Sequence, residues 1–383
     1  MKAEEPRVTV RLLAQGESLD GNERGLVLDN VEPNPLKLDD WLTYKDKEGL
    51  PVQIRGRVTA DSTTEDGSIP PIGEWVNVSL TLEPVVENDC ICLVRGGWVP
   101  LFYSLANANI IADRNIISEI NTRFSGGQLS PPERDRNDFI DFMADTKCGC
   151  TLNTLAFALE GNRQELPSLE IIIEQYNSAL KILNQSLPHI KTWPTPEVDM
   201  AQTEALLNGY RGYFIQGMEF LEEVAPLLMN TPSKSKKHKL WRDILTAAQK
   251  TGVSPQHICV AASISAASAG QNFNPAKRII KPKPTYKKKD AYNAMYDFFL
   301  LFLLDTFQEE HPESRSVLLT RDKQLAMFWM GMNVVTTQRD SDSIKRKHVG
   351  FHPKLLPFED EDFFILQEIF GADNIQSESP LMA

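Results

Sequence analysis

Asn109-Ile-Ile-Ala-Asp113-Arg-Asn115 and Val317-Leu-Leu-Thr320-Arg321-Asp322 are the two stretches on which the reading of this chain turns. Each is a short apolar run of the kind that forms a strand buried on both faces, and each ends in an aspartate. In an open sheet of parallel strands, residues just past the carboxyl ends line the crevice where ligands bind, and carboxylates meeting there suit a hard divalent cation. From about residue 106 onward, strand-like and helix-like segments alternate around these two runs, which predicts an α/β fold with an open sheet flanked by helices. Helices are expected over 115–124, 138–144, 152–160, 241–250, 290–308 and 323–330, with a mostly helical region over 169–228 and a further strand over 334–337. The polar stretch 231–239 and the basic, proline-containing stretch 274–289 are expected to be irregular.

Upstream, short alternating segments such as Val52-Gln-Ile-Arg-Gly-Arg-Val58 and Val76-Asn-Val-Ser-Leu-Thr-Leu82 are separated by Gly, Pro and Asp clusters, so residues 1–105 read as a β-rich N-terminal domain. The α/β domain then spans 106–383. With 383 residues, 42% of them hydrophobic and 24% charged, the chain has the means to bury a large core. A net charge of −12 argues against a protein that coats nucleic acid with its whole surface. The basic residues are concentrated: seven Lys or Arg and no acid lie between Lys277 and Lys289, with smaller clusters at Lys234–Lys239 and Lys345–Lys347. The longest strongly apolar run, Phe298 to Leu304, is bounded by Asp297 and Asp305 and falls far short of the ~20 residues of a membrane helix. It reads as a core helix, and no membrane partner is expected. Five cysteines, an odd number, and no apolar leader after Met1 point to a cytoplasmic protein. The two C-x-C pairs, Cys90/Cys92 and Cys148/Cys150, are spaced more tightly than the C-x₂₋₄-C of structural zinc.

Two further acids complete a candidate set. Glu160 closes the apolar segment Leu152–Leu159, and Asp290 opens the long helix that precedes the second strand. In chain order, Ile110-Ile-Ala-Asp113-Arg-Asn115, Leu155-Ala-Phe-Ala-Leu-Glu160, Lys289-Asp290-Ala291 and Leu318-Leu-Thr-Arg-Asp322-Lys resemble the acidic motifs of the PIN domain, a compact α/β nuclease module. The resemblance covers roughly residues 106–160 and 286–340. It leaves the N-terminal domain unplaced and requires a helical insertion at about 163–285. It implies that Asp113, Glu160, Asp290 and Asp322 surround one or two Mg²⁺ or Mn²⁺ ions, with Asn115 and Thr320 as supporting partners. The basic residues Lys287, Lys288 and Lys289, with Arg321 and Lys323, would then meet the phosphates of RNA or single-stranded DNA.

Each acid has a plainer reading beside this one. Asp113, Asp290 and Asp322 suit helix N-caps, and a Glu at a helix end is usually solvated. Asp138, Asp141 and Asp145 recur at helical spacing as an acidic face. Asp297 lies on the face of Asp290, but seven residues is about 10.5 Å along a helix, too far for both to hold one ion, so Asp297 is left to hold a second metal or to bind water. The expected function is metal-dependent hydrolysis of phosphodiester bonds. The alternative is a nucleic-acid-binding or protein-interaction scaffold on a degenerate fold of the same kind, and a small-molecule phosphatase ranks third. A homo-oligomer is left open.

Overall fold

The computed structural model describes residues 10–13, 25–44, 49–62, 70–82, 90–100, 108–125, 128–130, 139–144, 149–160, 166–193, 200–310, 315–337, 346–357 and 359–370. Gly126, Gly127, Pro131, Pro132, Asp138, Asp145, Cys148, Pro194, Pro196 and Lys345 lie outside them. The N-terminal portion comprises β1 (Val10–Leu13), β2 (Gly25–Pro33), α1 (Leu38–Tyr44), β3 (Leu50–Val58) and β4 (Trp75–Leu82). The four strands form one antiparallel sheet in the order β1-β2-β3-β4. Val52, Ile54 and Val58 alternate inward along β3 and, with Leu28, Val31 and Leu36, make a small separate core.

The chain continues through β5 (Ile91–Val94), β6 (Gly97–Val99), β7 (Asn109–Ala112), α2 (Arg114–Arg123), the short pair β8 (Phe124–Ser125) and β9 (Gln128–Leu129), and α3 (Phe139–Ala144). Next come β10 (Thr151–Asn153), α4 (Leu155–Leu159), α5 (Leu169–Ser186), β11 (Lys191–Trp193), α6 (Met200–Val224) with a 3₁₀ turn over Ala225–Leu228, α7 (Lys234–Thr251), α8 (Ile258–Ser268) and α9 (Pro275–Ile280). α10 (Lys288–Glu310), β12 (Ser316–Thr320), α11 (Lys323–Gly331), the hairpin β13 (Met332–Thr337) and β14 (Arg346–Phe351), and α12 (Asp360–Phe370) complete it. The central sheet has six strands in the order β11-β10-β7-β12-β5-β6. The first four are parallel, and the β5–β6 hairpin joins them antiparallel.

Both faces of this sheet are covered. Ile110, Ala112, Val317 and Leu319 pack with Ile116, Ile117 and Ile120 of α2 and Phe139 of α3. Ile111, Leu318 and Leu93, which alternate to the other side, join the larger core built on α8, α10 and α11. α8 has no polar face: every residue from Cys259 to Ala267 is buried, as is expected of a helix apolar all round. α10 carries the Phe298–Leu304 run, buried throughout except for Phe302, and is a core helix. Among the described residues no helix is long and apolar enough to cross a membrane.

Several expectations are revised. Residues 91–99, grouped by sequence with the N-terminal region, are strands of the central sheet, because β5 pairs with β12. The N-terminal sheet is fastened to them where Leu36 and Trp98 exchange backbone hydrogen bonds of 2.8 and 3.0 Å. A Cβ on Gly97 would lie 2.0 Å from the Leu36 carbonyl oxygen, so this approach requires glycine. Leu152 and Asn153, expected to begin a helix, instead form a strand with Thr151 held between β7 and β11, where pairing on both sides overrides helical periodicity. The stretch 274–289 contains α9, whose Asn274 side chain accepts the Lys277 N–H with Pro275 at the first helical position. The helix expected from residue 241 begins at Lys234. The strand expected over 334–337 pairs with β14 and stands outside the central sheet.

Candidate functional site

After β7 the chain moves to β10 and β11 on one side, and it later returns to place β12 on the other. The crevice beyond the carboxyl ends of β7 and β12 is thus a topological switch point, the usual ligand position in an open α/β sheet. Asp113 and Asp322 stand there, each capping the helix that leaves its strand. One Asp113 oxygen accepts the Asn115 N–H at 3.0 Å; one Asp322 oxygen accepts the N–H groups of Gln324 and Leu325 at 2.7 and 3.0 Å. Thr320, fully buried, joins the two acids: its hydroxyl bonds the Asp113 side chain and accepts the Asp322 N–H at 3.0 Å. The capping and site readings of these aspartates are therefore compatible, since a carboxylate keeps acceptor sites beyond those a helix end occupies.

Glu160 follows α4 as its C-cap. Two tyrosines of α10 hold that end of α4: Tyr292 donates to the Leu159 carbonyl at 3.1 Å, and Tyr296 donates to the Ala156 carbonyl. One Glu160 carboxylate oxygen is buried with no hydrogen-bond partner among the described residues. Burial and the charge of Asp113 push its pKa up to about 7, against the opposing pull of Arg114. Asp113 is also raised, first by burial and then by Asp322, while its bonds to Asn115 and Thr320 act the other way.

Asp290 does not join this group. It forms an ion pair with Lys283 at 2.7 Å and accepts the Lys287 N–H at 3.0 Å, and these contacts hold its carboxyl below the usual range. The acid of α10 that feels the charges of the other three is Asp297, two turns further along. Burial raises its carboxyl well above the ordinary value, and the charges of Asp322, Asp113 and Glu160 add to this. The tyrosine bonds explain the exchange: they place the second and third turns of α10, rather than its first, beside the carboxyl end of the sheet.

Among the basic candidates, Arg321 is paired with Glu119 of α2. Lys323 and Lys289 are exposed, as is Lys287 at the start of α10. Lys288 borders a cavity of about 510 Å³ together with Arg211, Glu219 and Glu222. Lys281 was not singled out from its neighbours in the basic run. It ends α9 with a left-handed backbone, φ 53°, and its charge offsets those of the acids around Asp297. Asn153, also missed, is fully buried at the end of β10, opposite Ile111. Its side-chain oxygen accepts the Leu155 N–H at 2.9 Å while its amide nitrogen has no partner among the described residues. Sequence could have flagged it as a polar residue ending an apolar run, but only after β10 was recognised as a strand.

Among the described residues no three His, Cys, Asp or Glu side chains stand close enough to form a ready-made ion cage. The four acids influence one another through charge across the crevice. Cys90, Cys92 and Cys150 are buried in the core on the α2 side of the sheet, and burial pushes the Cys90 thiol up. No protein-family model matches the chain, and comparison with the curated proteins and with solved structures finds no match either.

Proposed function

We propose that this protein is a metal-dependent nuclease that hydrolyses phosphodiester bonds of RNA or single-stranded DNA, on a PIN-like fold. The observation that carries the reading is the orphaned, buried oxygen of Glu160, set in the charge field of Asp113 and Asp297 at the switch point. A carboxylate kept in that state is poorly satisfied until a cation arrives. The donor set is entirely hard oxygen, which fits Mg²⁺ or Mn²⁺, ions that complete their shells with water. Asp113, Glu160, Asp297 and Asp322 would hold the ion, with Asp297 in the place first given to Asp290. A cation bound there supplies Lewis acidity to a phosphate and favours ionisation of a water.

The chain's own residues do the remaining work. Asn115 and Thr320 fix the Asp113 carboxylate, while Tyr292 and Tyr296 hold the helix end that carries Glu160. Lys281, whose charge acts on Asp297, and Lys323, just past β12, would draw the phosphate backbone toward an acidic crevice that otherwise repels it, and Lys287 and Lys289 at the start of α10 would extend that basic path. The absence of a preassembled cage among the described residues favours a second reading, a scaffold that binds nucleic acid or protein without cutting.

Incubation of labelled single-stranded RNA and DNA with the protein and Mn²⁺, Mg²⁺ or EDTA decides between them. Metal-dependent cutting is expected, reduced at least about a hundredfold in Asp113→Asn, Asp297→Asn and Asp322→Asn, the scale of losing one charge-stabilising group. Asp290→Asn should stay within a few-fold of wild type. Uncut substrate, together with a melting temperature indifferent to Mn²⁺, would select the scaffold.

A further inference from the structure

β4 borders the N-terminal sheet, and its ladder with β3 runs unbroken from Arg57 opposite Trp75 to Leu50 opposite Leu82. On its other side no described residue pairs with it. Its sequence, Trp75-Val-Asn-Val-Ser-Leu-Thr-Leu82, contains no charge, no proline and no glycine. Edge strands are normally blunted by lysine, proline, a bulge or short length, and β4 has none of these. β2 in the same sheet does carry an irregularity, between Asp29 and Glu32.

The backbone bonds at the start of β4 determine which groups face outward. Gly73 N–H donates to the Val58 carbonyl and Val58 N–H to the Glu74 carbonyl, both at 2.9 Å. Alternation along an antiparallel pair then turns the backbone of Val76, Val78, Leu80 and Leu82 toward β3 and leaves that of Trp75, Asn77, Ser79 and Thr81 pointing away. The side chains sort the same way. Val76, Val78, Leu80 and Leu82 rest on the sheet's small core but remain partly exposed, because the core ends at this border. Trp75 is 42% exposed, and Ile72 just before it is 70% exposed.

We propose that β4 pairs antiparallel with β4 of a second copy of this chain, about a two-fold axis through Val78, so that the two N-terminal sheets become one. In that register Val76 lies opposite the partner's Leu80 on the inner face, while Trp75 meets the partner's Thr81 and Asn77 the partner's Ser79 on the outer face. Val76 and Leu80 thus pair apolar with apolar and Asn77 and Ser79 polar with polar, Trp75 lies beside the methyl-bearing Thr81, and every outward N–H and C=O in the paired span finds a mate. A second copy is favoured over a foreign segment because the strand matches itself and carries no charge that would select a charged peptide. The two-fold arrangement is closed, which limits growth to a dimer. The inference stands apart from the nuclease reading.

Sedimentation velocity of the full chain across roughly 1 to 100 μM tests it. A mass approaching twice that of one chain is expected as concentration rises. Asn77→Lys combined with Ser79→Lys sets like charges directly opposite across the axis and should weaken association at least about tenfold, with an unchanged melting temperature at low concentration. Ser79→Pro removes an outward N–H without touching the β3 ladder and should do the same. A monomer at every concentration, a dimer indifferent to both variants, or growth beyond two copies would each overturn the proposal.

Discussion

Glu160 shows most directly how one residue's environment sets both its chemistry and its cost. Its folded pKa of about 7 lies above the ordinary carboxyl value of 4.5, so the folded state binds the extra proton between those pH values. Any stability it lends is present below pH 4.5 and is lost as pH rises through about 7. Glu160→Gln should therefore stabilise the fold above pH 7 by roughly 1–3 kcal/mol while abolishing the proposed metal-dependent cutting. Urea denaturation at pH 5 and pH 8 checks this: the gain should be much smaller at the lower pH, and a gain of the same size at both would refute it. Asp113 and Asp322 were legible as strand-end acids because a short apolar run closed by Asp marks the end of a buried strand, whether that Asp caps the next helix, binds a ligand or does both. The choice between Asp290 and Asp297 was not legible, since both lie on one helix and only the docking of Tyr292 and Tyr296 against α4 decides which turn meets the sheet.

At the scale of elements, α10 is placed by its contacts with α6 and α8. A Cβ on Gly217 of α6 would come within 2.4 Å of the Met295 sulfur and 2.8 Å of His257 Cε1. His257 caps α8 by accepting the Cys259 N–H at 3.1 Å and bonds the Tyr213 carbonyl through its other nitrogen, also at 3.1 Å, so it cannot move aside freely. Gly217→Ala should destabilise the protein by about 1–3 kcal/mol through overpacking. On the proposed nuclease reading a lower cutting rate is also expected, because a shift in α10 carries Asp297 with it; unchanged stability would show that the junction yields. Long periodic helices and the Ser316–Thr320 strand were readable in advance, whereas the three-residue strands β10 and β11 were not. Their extended state comes from ladder partners remote in sequence rather than from their own residues.

For the whole molecule, the last helix is joined to the body by a buried charge. Asp362 of α12 is 2% exposed and accepts from Lys237 and bonds His238 of α7, both at 2.5 Å. Burial alone would raise its carboxyl, but the bonds from Lys237, the Glu359 N–H and His238 hold it below the usual range. Lys237 also lies over the Trp241 ring at 5.1 Å. Asp362→Ala should cost about 3–5 kcal/mol, since it leaves a partly buried lysine without its partner. Hydrogen exchange would show the loss first in α12 and the start of α7, and a uniform change across the chain would contradict this view of the contact. That α7 begins in the polar stretch 231–239 was hidden from the sequence for the same reason: its basic first turn is answered by Glu359 and Asp362, more than a hundred residues away.

By itself the sequence determined the α/β class, the two strands whose ends carry aspartates, the core character of Phe298–Leu304 and the β-rich start of the chain. Those features follow from local patterns of apolar and polar residues, which act over a few positions and can be read there. The tertiary structure alone decided that residues 91–99 belong to the central sheet, that Asp297 rather than Asp290 comes within the charge field of Asp113 and Asp322, and that Glu160 keeps an orphaned oxygen. Those outcomes depend on strand order and on where one helix rests against another, and both are set by the burial of surfaces drawn from distant parts of the chain.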